Sequence, residues 1–429
     1  MLFAARVPLD DLVRHILSRG WGYDYASHYG HHFVDQHWSY WIGFDWAVGL
    51  IHEASGDLLT TSRIVRALIF IAVGSAVVTA VRRAHSDPVV RAAAVAVILF
   101  VFLWFRLNLG RPEVLFTGLV VSALGTSRRA WLGLFLALSP AYWLAPIYLP
   151  GALLLGAGDE TWRARLLRNS AVIFVGLLGW AAFWWWYSGG TLLHTAALLH
   201  QVLEIHGAAA APVGEMLPLA DGTRSPVPLA LMGLLICGAW YAGGSRIPPS
   251  NRACALVCLG VAAVFCLPDY VRYGPTVWAL LALSLLVMGS HLRAPPAAQS
   301  WALLGIALAV VLAMKPPADD ATDAVLDALR VPPSSRVLTS FNASSYLAVA
   351  ANPDSVITPI FDVSSTRPPF RELVVDLSLG RVDCKSLVRL GAFDYVVEST
   401  LNGQVPECLQ LLRVDGRHRL WRVLEEDHQ

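Results

Sequence analysis

Arg111-Pro112-Glu113 places a guanidinium and a carboxylate at the mouth of an apolar run, Pro112–Gly125. Proline suits a first helical position, and a carboxylate in the first turn is favoured by the helix dipole. That account is architectural. The chemical account begins from cost. Charged groups at membrane depth are costly and face polar cavities, and a cavity with an arginine and a carboxylate suits a phosphate and a hydroxyl. A second charged loop, Asp269-Tyr270-Val271-Arg272-Tyr273, offers Arg272 to a phosphate, whose oxygens the guanidinium matches in shape and charge. The alternatives for Arg272 are pairing with Asp269 and snorkelling toward the headgroups.

The N-terminal segment is dense in polar groups. Asp10, Asp11, Arg14, His15, Asp24, His28, His31, His32, Asp35 and His37 are interleaved with aromatics that include Trp21, Tyr25, Tyr29, Trp38 and Trp41. Two readings stand. Trp and Tyr prefer the headgroup level, so the segment can be interfacial. Or it is a substrate cleft at the membrane surface, with rings such as Tyr25 and Trp38 against a sugar or prenyl chain. On a helix, His28 and His32 share a face one turn apart, with Asp35 nearby. That trio could take a divalent metal ion such as Mg or Mn, or it is a solvated face. The long loop Ser188–Pro226, with His194, His200, Glu204 and His206, could close over a site as a lid or lie in the interface.

These residues need elements to position them, and the composition says which kind. Of 429 residues, 56% are hydrophobic and 15% charged, with a mean hydropathy of +0.54. About 25% charged is usual for a soluble protein. A net charge of +1 gives no bulk attraction for nucleic acid. The apolar segments are Ile64–Val81, Pro88–Phe105, Pro112–Gly125, Ala130–Gly156, Ser170–Tyr187, Val227–Gly243, Ala253–Leu267, Gly274–Gly289 and Gln299–Met314. A spanning helix needs about 20 apolar residues, so the short ones are tilted, shielded or extended by their flanks. Pro140, Pro146 and Pro150 predict that Ala130–Gly156 is two short helices meeting at a bend.

Arginine placement orients the chain. Arg82, Arg83 and Arg91, then Arg128 and Arg129, then Arg163, Arg165 and Arg168, then Arg246 and Arg252 mark alternate loops as cytoplasmic. The chain thus reads as a polytopic α-helical membrane protein with a small C-terminal α/β soluble domain. Residues 1–60 form an external loop segment with amphipathic helices, 61–315 the transmembrane domain, and 316–429 an exported domain. The protein belongs in the inner (plasma) membrane, with its C-terminal domain on the periplasmic or extracellular side.

Within the exported domain, helices are expected at Asp319–Arg330, Asn342–Ala351, up to Ser386–Leu390, and at Pro406–Leu412. Strands are expected at Arg336–Ser340, Val356–Ile360, Phe393–Glu398 and Arg419–Leu424. Their alternation predicts a small, mostly parallel sheet. No glycine-rich nucleotide fingerprint opens any of its helices. Of six cysteines, Cys237, Cys254, Cys258 and Cys266 lie in apolar segments as small apolar residues. Cys384 and Cys408 lie where the compartment permits a disulfide, and they flank Phe393–Glu398.

The layout resembles the GT-C class of membrane glycosyltransferases, which includes the protein mannosyltransferases and the aminoarabinose transferase of lipid A. The acidic pair Asp10-Asp11, the amphipathic stretch Tyr25–Gly56, the outward Arg111-Pro112-Glu113, the Arg272-Tyr273 loop and the closing α/β domain carry the resemblance. It implies a sugar donor on a polyprenyl phosphate and a lipid, glycan or protein acceptor, amid membrane lipids. It also implies Asp10 or Asp11 as the catalytic carboxylate, with Arg111, Glu113, Arg272, Tyr273, Tyr25 and Trp38 binding substrate. In the class a transmembrane helix precedes the acidic pair. Met1–Val7 is too short to span, so a further helix upstream is the expectation. Two other classes stay open. A non-catalytic subunit or pseudoenzyme of an envelope glycan assembly or export system fits the short motifs. A transporter fits poorly, since the segments show no inverted repeat.

Overall fold

The structure, a computed structural model, describes residues 7–8, 12–20, 22, 39–157, 161–190, 237, 241, 247–267, 273–289, 320–321, 323–340, 343–358, 370–390, 393–399, 406–415 and 418–424. The chain opens with β1 (Val7–Pro8), α1 (Leu12–Leu17), α2 (Ile42–Ser55) and α3 (Leu58–Ala84). Then come α4 (Pro88–Ala96), which continues as a π-helix over Val97–Leu103 into α5 (Trp104–Leu109), and α6 (Glu113–Ser122). After α7 (Arg128–Leu138) come 3-10 turns at Ser139–Ala141 and Ala145–Leu154, then α8 (Trp162–Tyr187), α9 (Pro249–Cys266) and α10 (Gly274–Gly289). The C-terminal part holds β2 (Asp320–Ala321), α11 (Asp323–Ala328), β3 (Arg336–Thr339), α12 (Ala343–Ala351) and β4 (Val356–Thr358). It ends with α13 (Phe370–Ser378), α14 (Cys384–Leu390), β5 (Tyr395–Glu398), β6 (Leu409–Asp415) and β7 (His418–Val423).

The chain forms two compact units: one of Met1–Arg66, Asn108–Gly110 and Pro317–Gln429, the other of Ala67–Leu107 and Arg111–Pro316. The second holds the apolar helices. Among the described residues, three helices are long and apolar enough to cross a membrane: Leu58–Ala84, Trp162–Tyr187 and Pro249–Cys266. Shorter apolar helices accompany them. Helix α8 leaves Leu167, Phe174, Leu178 and Trp186 exposed. Exposed large apolar side chains around a long helix mark contact with lipid rather than water. The expected spans Val227–Gly243 and Gln299–Met314 lie outside the described residues, apart from Cys237 and Tyr241.

The expected bend within Ala130–Gly156 is present, but its second arm is 3-10 rather than α. Ser127 caps α7 by accepting from the Ala130 N–H at 3.3 Å. Pro140, Pro146 and Pro150 each remove a backbone donor, which shifts bonding from the regular helical ladder. Indoles bond the carbonyls exposed there. Trp184 Nε1 donates to the Ser139 carbonyl at 3.2 Å and Trp180 Nε1 to the Trp143 carbonyl at 2.9 Å. The 3-10 run lies hard against α6, since a Cβ on Gly151 would stand 2.7 Å from Val120.

In the first unit the sheet runs β4-β3-β5-β7-β6. Strands β4, β3 and β5 are parallel, whereas β7 and β6 are antiparallel. The expectation of a mostly parallel sheet is therefore corrected to a mixed one. Pro406–Leu412, expected as a helix, carries the start of edge strand β6, because pairing with β7 over Leu409–Asp415 overrides the local helical preference of Leu-Gln-Leu-Leu-Arg. Helix α13 has no counterpart among the expected elements.

Each central strand alternates its side chains between two cores. Val337, Val397 and Leu420 face a core completed by α12 and by Val13 of α1, with Leu58 and Leu59 packed against it. Leu338, Val396 and Trp421 face a core covered by Phe370, Leu373 and Leu377 of α13 and Leu387 of α14. The N-terminal segment and the C-terminal domain, distinct along the sequence, thus share one core. Backbone pairing of β1 with β2 adds to this, with Val7 opposite Ala321. Cys384 and Cys408 are disulfide-bonded, with Cα atoms 5.6 Å apart. Cys254 and Cys258 are buried as expected of small apolar residues, while Cys237 and Cys266 are exposed.

Candidate functional site

Helix α6 begins at Glu113, directly after Arg111-Pro112, and the first turn is held by Val114 N–H to the Arg111 carbonyl and Leu115 N–H to the Pro112 carbonyl. Gly110 makes the turn before it with φ +70°, and a Cβ there would meet Leu12 at 2.7 Å. Arg111 and Glu113 are buried, at 9% and 6% exposure, and Arg106 near the end of α5 is also buried. Glu113 Oε2 is shut off from solvent and accepts no hydrogen bond among the described residues. A buried acceptor left in that state costs about 1–3 kcal/mol, more when charged. A fold keeps such a group where it has a use.

One turn further along α6, Phe116 stacks on Tyr148 with centroids 5.3 Å apart and lies 5.9 Å from Tyr142. Tyr148 meets Phe265 at 5.6 Å and Tyr273 at 6.2 Å. Thr117 and Thr276 share a hydrogen bond of 2.8 Å that ties α6 to the first turn of α10. Tyr273 therefore sits near the head of α6, almost fully buried in an aromatic cluster drawn from four separate stretches of chain. These rings pack on one another and hold α6 against the elements around it. Tyr273, Arg111 and Glu113 stand among the residues that the sequence singles out. Phe116, Tyr142, Tyr148 and Phe265 do not, because in sequence they are ordinary aromatics within apolar runs.

The first unit has its own buried polar cluster. His15 Nδ1 lies 2.5 Å from Asp45 Oδ1, and Ser39 Oγ donates to Asp45 Oδ2 at 2.5 Å. Arg14 Nη2 lies 3.2 Å from His15 Nε2. A guanidinium only donates, so Nε2 must be the acceptor and Nδ1 must carry the proton. His15 is thereby a neutral imidazole bridging a guanidinium and a carboxylate. Arg14 also lies over the Trp41 ring, with Cζ 4.3 Å from its centroid, and Phe44 meets the His15 ring edge-on at 4.9 Å. Burial pushes the phenol of the adjacent Tyr40 up to about 12. Sequence reading did not single out Asp45. The signal was present, as a lone carboxylate inside Ile42–Leu50, but its partner His15 lies on another helix.

Asp10, Asp11, Tyr25, His28, His32, Asp35, Trp38 and Arg272 lie outside the described residues, as does the 191–226 part of the expected lid. Among the described residues, no group of three or more His, Cys, Asp or Glu side chains is placed to hold a metal ion.

No protein-family model and no curated protein matches the sequence. Solved structures do. ArnT from Cupriavidus metallidurans bound to undecaprenyl phosphate superposes with a TM-score of 0.55 at 13% identity, over 98% of this chain and 95% of that one. The Archaeoglobus fulgidus oligosaccharyltransferase, tethered to an acceptor peptide, superposes with a TM-score of 0.53 at 11% identity, over 91% of this chain and 65% of that one. Both are GT-C glycosyltransferases. The chain has their fold, a polytopic membrane fold, as the resemblance read from its motifs implies.

Proposed function

We propose that this chain, which shares the fold of GT-C membrane glycosyltransferases, moves a sugar from a polyprenyl-phosphate carrier to an acceptor at the external face of the membrane. The observation that carries the reading is the superposition, along nearly the whole of both chains, on a transferase bound to undecaprenyl phosphate. The buried Arg111 and Glu113 above an aromatic cluster support it chemically. In the reaction, an acceptor hydroxyl attacks the anomeric carbon, the bond from that carbon to the phosphate oxygen breaks, and the phosphate leaves with the electron pair. Arg111 and Arg272 stabilise the leaving phosphate as its charge develops. Asp11 or Asp10 takes the proton of the acceptor hydroxyl. Glu113 and Tyr273, with Tyr25 and Trp38, orient the sugar. His28, His32 and Asp35 are the residues that would hold a divalent cation.

The test is transfer from a polyprenyl-phosphate sugar in reconstituted membranes. Asp10→Asn or Asp11→Asn, and Arg111→Ala, abolish transfer while the protein stays folded and inserted. Full transfer by the Asp10→Asn/Asp11→Asn double variant removes the catalytic assignment of this pair. The membrane orientation has a separate test. Single cysteines at Arg83 and at the exposed Arg330, in a background lacking the four free cysteines, label from opposite sides. Labelling from one side refutes the topology.

A further inference from the structure

At the end of α6 remote from Glu113, the chain turns through Gly125–Ser127 into α7, and a cavity of about 600 Å³ opens there. Three arginines line it: Arg83 from the last turn of α3, and Arg128 and Arg129 from the first turn of α7. No carboxylate stands among its described lining residues, which otherwise include Thr126, Ser127 and Gly156. Helix α6 has ten residues, so the cavity is about 15 Å from the buried Glu113. It is separate from the site proposed for sugar transfer.

A second cavity, of about 220 Å³, is walled by the apolar side chains of Leu153, Leu166, Val257 and Val261. The two lie on either side of one hydrogen bond. Arg128, in the wall of the first, donates from Nε to Asn169 Oδ1 at 2.8 Å, and Asn169 lines the second. Asn169 is itself fixed by donating to the Leu155 carbonyl at 2.9 Å. Trp162 lines the apolar cavity too and is largely exposed, as indoles are at the headgroup level.

Guanidiniums around one cavity call for a phosphate, which they match in shape and charge. A free phosphate needs nothing more. An apolar cavity joined to the same arginine through one bond adds room for a hydrocarbon chain, and only a lipid uses both. We propose that this paired site binds one anionic phospholipid, with its phosphate among Arg83, Arg128 and Arg129 and an acyl chain along Leu166, Val257 and Val261. The proposal does not depend on the transferase reading. It rests on the geometry of the helical unit alone.

The full-length protein is reconstituted in nanodiscs of equal phosphatidylglycerol and phosphatidylcholine, then released into mild detergent, and its retained lipid is read by native mass spectrometry. The wild type retains phosphatidylglycerol about tenfold over phosphatidylcholine. Arg83→Ala/Arg129→Ala, at two exposed positions, removes the preference. Gly260→Phe, where a new Cβ meets nothing within 4 Å, fills the apolar cavity and lowers retention of either lipid while the thermal midpoint stays in place. Equal retention of the two lipids by the wild type overturns the proposal. So does a preference that survives the double arginine variant. Inorganic phosphate supplies the remaining arm. If it binds the wild type and Gly260→Phe alike while no lipid is retained, the site takes a free anion and the lipid assignment falls.

Discussion

Each unit buries arginine and a carboxylate, and the two carboxylates end differently. In the first unit, Asp45 has both oxygens engaged, by His15 and Ser39, and the imidazole passes the connection on to Arg14. In the second, Glu113 Oε2 is equally hidden from solvent yet accepts no hydrogen bond among the described residues. A buried carboxylate with both oxygens hydrogen-bonded specifies and rigidifies a fold. A buried carboxylate oxygen left open is held ready for a partner of its own. On the proposed function, the contrast would make Asp45 architectural and Glu113 chemical, and it can be broken at either end.

The largest effect belongs to Asp45→Ala. Removing the carboxylate that orders His15 and Ser39 lowers the stability of the first unit by about 3–5 kcal/mol, read by denaturant unfolding of the solubilised protein. A loss below about 1 kcal/mol would show that the cluster is not knit. Next comes the other cross-link of that unit. Cys384→Ser/Cys408→Ser releases a bridge between residues 24 apart and costs about 3 kcal/mol, read by the same unfolding curve. If the double variant unfolds at the wild-type midpoint, the disulfide plays no part in stability. Glu113→Gln should do the reverse of Asp45→Ala: transfer falls about a hundredfold while the thermal midpoint barely moves. A variant that transfers normally but melts early would make Glu113 architectural and collapse the contrast.

The smallest effect lies at the starts of the inner strands β3 and β5. Burial opposes ionisation of Asp394, but bonds from the Arg336 side chain and backbone outweigh it and hold the carboxyl below its usual 3.8. The folded state therefore favours the ionised form. That contribution is complete above the ordinary carboxylate range and is lost as pH falls through the lowered value. Both side chains are two-fifths or more exposed, so the pair adds less than about 1 kcal/mol. Arg336→Ala should lower stability at neutral pH by that amount and leave it unchanged in strong acid, so that the fall in stability below about pH 4 is flattened. A larger change at neutral pH would mean that Arg336 has a further role.

What the sequence made legible follows from which forces act locally. The bend in Ala130–Gly156 could be read because proline acts on its own helix. The disulfide was suggested because Cys384 and Cys408 flank a recognisable strand. Residues 409–412 read as helix because Leu and Gln prefer helices, and only the ladder with β7 reverses that. The third core wall, from Val13 of α1, could not be read at all, since its partners Leu329, Val337 and Leu347 stand at the other end of the chain. The candidate site divides the same way. Arg111 and Glu113 announce themselves by charge at an apolar boundary. The aromatics Phe116, Tyr148 and Phe265 gain meaning only from their convergence on Tyr273.

The shared core of the first unit also sets a timetable for making the protein. Helix α1 leaves the ribosome before the helical unit, and the strands that bury Val13 leave it after every segment of that unit. The entropy of closing so long a loop grows only slowly with its length, so the finished unit is not much weakened. The delay is the harder matter. Throughout insertion the apolar face of α1 has no sheet to rest on, and the membrane surface is the nearest apolar phase that can shelter it. Maturation of this unit thus waits for β7. Chains stopped before β7 should insert normally yet leave their first residues open to protease until the final strand is supplied.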